Sequence, residues 1–83
     1  MAATKQDIRW WFKAGVKQGA THMIVVCDDF DYEDYPVYVE PSEDVRKKAQ
    51  RFDGKDMQRI MEVYSMTLPM ESQLDEHRAF HWD

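Results

Sequence analysis

Apolar residues recur with helical spacing between positions 8 and 16, which predicts that the chain begins with a helix. Thr4 and Asp7 resemble a capping box at the start of this helix, and Gly19 stands where a C-terminal glycine cap belongs. Trp10 lies off the centre of the apolar stripe, so it is either a flank of the core or an anchor for an interface. The residues of the predicted buried stripe are Ile8, Trp11, Phe12, Gly15 and Val16.

Two short apolar runs follow the helix and predict two β-strands. The first strand is expected from about His22 to Asp28 and the second from about Pro36 to Glu40. A proline is tolerated at the start of a strand or at a sheet edge, which suits Pro36. The segment between the strands is too long for a tight hairpin, so we expect a loop with a shape of its own.

A second helix is expected after the second strand. Ser42 is the candidate N-cap, and the helix buries Val45, Ala49 and Phe52. The Asp53-Gly54 pair ends it.

The segment from residue 57 to residue 66 is ambiguous, because its apolar spacing fits both a helix and a strand. We favour the strand, since a third strand completes a sheet that helices can cover. A last helix is expected from about Met70 to Phe80, with Met70 and Leu74 facing inward. The predicted fold is one small α+β domain over residues 1–83, an α-β-β-α-β-α sandwich with a short antiparallel sheet packed against helices.

Composition restricts the function further. The 83 residues carry 16 acidic and 11 basic side chains, for a net charge of −5, which disfavours binding to a nucleic-acid backbone. One cysteine, Cys27, excludes an internal disulfide and fits a buried position in a reducing compartment. No signal peptide or membrane-spanning run is recognisable, so we expect a cytoplasmic protein that does not bind membranes.

The segment between the first two strands interleaves carboxylates with aromatic rings and is the candidate interaction site. Such a mixture suits docking on a basic, arginine-bearing protein surface through charge-assisted hydrogen bonds and cation–π contacts. A calcium loop is disfavoured because Asp34 stands where an EF-hand requires glycine. The predicted partner-binding residues are Asp29, Phe30, Asp31, Tyr32, Glu33, Asp34, Tyr35, Trp10 and Trp82.

Other chemistries find less support. His77 and His81 have the spacing of half a zinc site but lack two further ligands, so we expect no metal. No nucleophile elbow, phosphate-binding loop or dinucleotide fingerprint is present, so we expect no catalytic residues, no cofactor and no enzyme activity. One alternative is an oligomeric protein that sequesters a nucleotide-like ligand, with Arg9, Arg59 and Arg78 as phosphate donors. Another is a metal-assisted hydrolase.

Three segments together give the chain a recognisable pattern: GATHMIVVCDDFDYEDYPVYV at 19–39, MQRIMEVYSM at 57–66 and LDEHRAF at 74–80. The pattern resembles a group of short, uncharacterised proteins encoded in phage and prophage genomes. The resemblance implies a phage-like setting and a host cytoplasm, in which a compact acidic protein binds a host protein and inhibits or redirects it. It transfers no binding or catalytic residue. Self-association as a homo-oligomer is a further expectation.

Overall fold

The computed structural model describes residues 3–54, 57–76 and 78–82. The predicted α+β fold and its element order are confirmed. The elements are α1 (Lys5–Gln18), β1 (His22–Asp28), β2 (Glu33–Val39), α2 (Val45–Gln50), β3 (Gln58–Ser65) and α3 (Met70–Leu74).

Both caps predicted for α1 are present. The Thr4 hydroxyl accepts a hydrogen bond from the Asp7 amide, and the Asp7 carboxylate accepts one from the Thr4 amide, both at 3.1 Å. Gly19 closes the helix with a φ of 82°, a left-handed conformation that favours glycine. The apolar stripe is confirmed at its buried residues, but Val16 is exposed, because the rotation of the helix places it at the margin of the face that buries Ile8, Phe12 and Gly15. The buried residues of α1 are Ile8, Phe12 and Gly15.

β1 is the central strand of a three-stranded antiparallel sheet with the order β2-β1-β3. Its five consecutive apolar residues are all buried, since helices cover both faces of the sheet. Met23 and Val25 pack with α1 and α3 on one face. Ile24 and Val26 pack with α2 on the other.

β2 begins three residues earlier than predicted. It starts at Glu33 rather than at about Pro36, so the connection from β1 is the four residues 29–32 and not a long loop. Polar residues occupy these strand positions because pairing continues to the end of the sheet, where Asp28 lies opposite Glu33. Tyr35 therefore lies in the strand, opposite Val26.

The N-cap of α2 is Asp44, and the prediction of Ser42 was wrong. The Asp44 carboxylate accepts hydrogen bonds from the amides of Arg46 and Lys47, at 2.9 and 3.1 Å. An acceptor one position before the first helical residue reaches both amides, whereas Ser42 lies too far upstream. The predicted buried face is confirmed for Val45 and Ala49.

The ambiguous segment is a strand. β3 pairs with β1 over its whole length, and its register shifts between Val25 and Val26, whose partners are Glu62 and Ile60. Met61 is thus the extra residue of a β-bulge. The bulge breaks the two-residue alternation, which is why the sequence pattern of this strand also fits a helix.

α3 is much shorter than the predicted Met70–Phe80 helix. It ends at Leu74, and the chain returns to the outer edge of β3, where the Val63 amide donates to Ala79 at 2.8 Å and the His81 amide donates to Val63 at 2.9 Å. These bonds form a short parallel bridge between Val63 and Phe80. We call residues 78–82 the C-terminal segment.

The opposite edge of the sheet, on β2, is obstructed by side chains. The Val39 carbonyl accepts from the Thr21 amide on the β1 side, so the neighbouring Tyr38 carbonyl points outward. The Lys48 ammonium donates to that outward carbonyl at 2.8 Å. Pro36, in the same strand, offers no amide hydrogen to a further strand.

Candidate interaction surface

The β1–β2 turn and the start of β3 form one structural unit, which we call the hairpin tip and define as Asp29, Phe30, Asp31, Tyr32 and Met57. The Asp29 amide donates to the Met57 carbonyl at 2.7 Å, which joins the turn to the third strand. The Phe30 amide donates to the carboxylate of Asp28 at 2.8 Å, a local bond typical of tight turns. Two hydrogen bonds from backbone amides therefore hold the start of the turn, one to β3 and one to Asp28.

The hairpin tip projects its apolar side chains into solvent. Phe30 and Tyr32 are each 71% exposed, and Met57 is 58% exposed. Tyr32 and Met57 both adopt a left-handed backbone conformation, with φ of 56° and 62°. Such a conformation is uncommon for residues other than glycine. Three large apolar side chains displayed together are typical of an interaction surface.

The carboxylates of the tip, and that of Glu33 next to it at the start of β2, differ in what they contact. Asp29 forms an ion pair with Arg59 at 3.0 Å. Within residues 3–54, 57–76 and 78–82, the side chains of Asp31 and Glu33 have no hydrogen-bond or ion-pair partner. These two carboxylates are the ones that a basic partner can reach without breaking an existing contact.

Two residues of the predicted site turn inward instead. The Asp34 carboxylate accepts a hydrogen bond from the Ala3 amide at 3.0 Å and so ties the start of the chain to β2. Tyr35 packs against the α2 face of the core, where its hydroxyl accepts from the Gln58 amide group at 2.5 Å. Burial, with a smaller effect of the nearby Asp28, raises the pKa of the Tyr35 phenol.

The two predicted tryptophans lie on opposite sides of the sheet. Trp10 is 66% exposed on α1, whose buried residues pack on the Met23 face. Trp82 is half-buried and packs with α2 on the Ile24 face. The nine predicted residues therefore do not form one patch, and the exposed part that stays together is the hairpin tip.

Met57 belongs to the tip although the sequence analysis did not single it out. The sequence of residues 57–66 fits both a helix and a strand, and a helix would place Met57 in a buried apolar stripe rather than at an exposed position. Its position directly before β3, beyond the left-handed Gly54, is the signal that could have identified it.

Cys27 lies behind the tip on the α1 face of the sheet and is buried, as predicted. Its thiol approaches the Asp29 carboxylate at 3.9 Å. Burial, together with the neighbouring Asp34 carboxylate, raises the pKa of the Cys27 thiol. A thiol of raised pKa is a poor nucleophile, so Cys27 serves the packing of the sheet end.

Metal chemistry finds no geometric support in the described part of the chain. His77 lies outside the described residues, and His81 contacts Glu76 through its ring nitrogen. No cluster of three or more histidine, cysteine, aspartate or glutamate side chains with metal-binding geometry occurs among residues 3–54, 57–76 and 78–82. Within the same residues, no helix has the length and apolar character that a membrane crossing requires.

The three arginines considered as phosphate donors are separated. Arg9 forms a bidentate pair with Glu71, with both distances 2.9 Å, and Arg59 pairs with Asp29. Arg78 lies over the ring of Phe80, 5.3 Å from its centroid. Two of the three are therefore already neutralised by carboxylates.

Comparison with known proteins returned no match: no family model, no curated protein sequence and no solved structure is similar to this chain.

Proposed function

We propose that this protein is a non-enzymatic binding protein whose hairpin tip docks on a basic surface of a host protein and thereby inhibits or redirects that protein. The observation that carries the proposal is the joint exposure of Phe30 and Tyr32 in a four-residue turn that is hydrogen-bonded to Met57, itself exposed. The geometry of the turn does not require these side chains, and exposing their apolar surface to water is energetically unfavourable.

The chemistry of the tip favours a basic partner. Asp31 and Glu33 offer carboxylates without competing partners among the described residues, and these accept charge-assisted hydrogen bonds from arginine or lysine. The rings of Phe30 and Tyr32 offer faces for cation–π contact with the same cations. The hydrogen bonds of the Asp29 and Phe30 amides reduce the entropy cost of ordering the tip on binding.

The test is capture of a host protein from a bacterial lysate by the immobilised protein and by two variants. In the first variant, Phe30→Ser and Tyr32→Asn remove both rings, and asparagine tolerates the left-handed conformation at position 32. In the control, Val16→Ser removes an exposed apolar side chain from α1. We expect the tip variant to lose the protein that the wild type retains, and the control to keep it.

The melting temperature of both variants is measured alongside, so that loss of capture is separated from loss of fold. Retention of the same host protein by a folded tip variant would contradict the proposal. Equal loss by the tip variant and by Val16→Ser would also contradict it, since it would indicate general apolar adhesion.

A further inference from the structure

The α2 side of the sheet carries a second surface of different chemistry. The rings of Phe80 and Trp82 lie nearly parallel, at 20° with their centroids 6.5 Å apart. The Arg46 guanidinium lies over Trp82, 4.9 Å from the ring centroid, and Arg78 lies over Phe80 at 5.3 Å. We call these four side chains the Phe80–Trp82 column.

The column borders a cavity of about 380 Å³. Its apolar floor includes Ala49 of α2 and Ile60 of β3. Its polar rim includes Gln50 and Asp53, which lie at the end of α2 and just beyond it. A cavity of this size with an apolar lining and a few convergent polar groups is typical of small-molecule sites.

Arg46 lines the cavity and is the arginine of the column that an anion bound there can reach. Among residues 3–54, 57–76 and 78–82, neither Arg46 nor Arg78 forms an ion pair, whereas Arg9 and Arg59 do. Phe80 is 41% exposed although it is a large ring in a segment that is bonded to β3. Phe80 and Trp82 thus line the cavity beside the Arg46 guanidinium, whereas Arg78 donates a hydrogen bond to the Met61 carbonyl at 3.4 Å.

We propose that this cavity binds a free mononucleotide. The base stacks on Phe80 and Trp82, as bases do on exposed aromatic side chains. The phosphate accepts hydrogen bonds from Arg46, whose planar fork suits phosphate oxygens. The Asp53 carboxylate accepts from a ribose hydroxyl, a recognition that a carboxylate near a nucleotide commonly provides.

Free nucleotide is favoured over nucleic acid by charge. The protein carries a net charge of −5, and the cavity lining combines one arginine, Arg46, with the Asp53 carboxylate. A polyanion that crosses an acidic surface would need a longer basic track. The site is distinct from the hairpin tip, and the proposal stands independently of the function proposed for the tip.

The experiment is calorimetric titration of the full chain with adenosine 5′-monophosphate, adenosine and a short single-stranded oligonucleotide. We expect saturable binding of the monophosphate, with adenosine weaker and the oligonucleotide no tighter than the monophosphate. Phe80→Leu, which keeps an apolar side chain but loses the ring face, should weaken both the monophosphate and adenosine by about tenfold.

Arg46→Gln separates the phosphate from the base. It should weaken the monophosphate by about tenfold and leave adenosine within about twofold of the wild type. The matched control is Lys47→Gln, which makes the same charge change at the next position of α2, outside the cavity lining. This control should leave all affinities unchanged.

Three results would overturn the proposal: no saturable binding of the monophosphate at millimolar concentration, tighter binding of the oligonucleotide, or an equal effect of Lys47→Gln and Arg46→Gln. Melting temperatures of the variants identify any that fail to fold. Retention of host-protein capture by Phe80→Leu would show that the two sites act separately.

Discussion

At the scale of single residues, α1 packs tightly against Tyr38 of β2 and against Met66 at Gly15. A Cβ atom at this position would meet the Met66 methyl at 2.7 Å and the Tyr38 ring at 2.8 Å. The Tyr38 hydroxyl also donates to the Trp11 carbonyl at 2.7 Å, so this hydrogen bond fixes the position of the ring against α1. Gly15 therefore sets the distance at which the helix packs on the sheet.

Replacement of Gly15 by alanine should destabilise the protein, although alanine is the better helix former. The helix gains about 1 kcal/mol in propensity, and overpacking against the Tyr38 ring costs about 1–3 kcal/mol, so we expect a net loss of about 1 kcal/mol. Chemical denaturation measures the change, with exposed Gln18→Ala as the control. A more stable Gly15→Ala variant would show that the Tyr38 ring shifts to accommodate the added methyl group.

Removal of the Tyr38 hydroxyl tests the same contact from the other side. Tyr38→Phe leaves the ring in place but loses the hydrogen bond to the Trp11 carbonyl, so we expect a loss of about 1 kcal/mol. Urea denaturation gives the free energy of unfolding, and Tyr32→Phe, at an exposed ring, is the control. Equal stability of Tyr38→Phe and the wild type would mean that water replaces the hydroxyl.

At the scale of elements, the sequence predicted what depends on local periodicity and capping. The capping box of α1, the left-handed Gly19 and the apolar run of β1 each act within a few neighbouring residues, and all three were recognised. The misplaced boundaries depend on distant partners. β2 extends to Glu33 because β1 continues to pair with it, and α3 stops at Leu74 because the edge of β3 binds the chain that follows.

The candidate site likewise depends partly on local pattern and partly on distant partners. The exposure of Phe30 and Tyr32 was predictable from their place among turn carboxylates, but the inward turn of Tyr35 depends on its pairing with Val26. The neighbourhood of Arg46 and Trp82 joins residues far apart in the sequence. No local pattern carries such information.

The contribution of the C-terminal segment to stability can be tested by removing the His81 amide hydrogen. His81→Pro removes the hydrogen bond to the Val63 carbonyl, whereas His81→Ala loses only the ring contact with Glu76. We expect the proline variant to be less stable than the alanine variant by about 1–3 kcal/mol, because it leaves a strand carbonyl without its donor. Chemical denaturation of both variants measures the difference, and equal stabilities would show that the bridge is dispensable.

The Arg9–Glu71 ion pair between α1 and α3 makes the stability of the fold depend on pH. The Arg9 hydrogen bond lowers the pKa of Glu71 below its ordinary 4.5, and Lys48 does the same for Glu43. A lowered carboxyl pKa contributes stability that is present above the unfolded-state value and is lost as the pH falls through the folded-state value. The melting temperature should therefore drop below pH 4.5. Glu71→Gln should show a smaller drop, and an equal drop would contradict this assignment.

At the scale of the whole molecule, charge divides the surface into two regions. The hairpin tip is acidic, while the Phe80–Trp82 column carries two guanidinium groups on a chain of net charge −5. Opposite local charges on one small protein favour different ligands at different places.

Salt should therefore weaken capture of a basic host protein through the tip. Exposed charges are screened more strongly as ionic strength rises, and the carboxylates of Asp31 and Glu33 are among them. We expect the dissociation constant to rise with salt, and the dependence to be shallower for Asp31→Asn. Surface plasmon resonance over a salt series measures both, and affinity that is independent of salt would assign binding to the rings alone.

The two borders of the sheet have a joint consequence for assembly. Lys48 and Pro36 obstruct one border, and the return of the chain from Ala79 to His81 occupies the other. Both borders therefore hinder the addition of a strand from another copy. The exposed rings can therefore contact a partner while the sheet edges remain protected from edge-to-edge association.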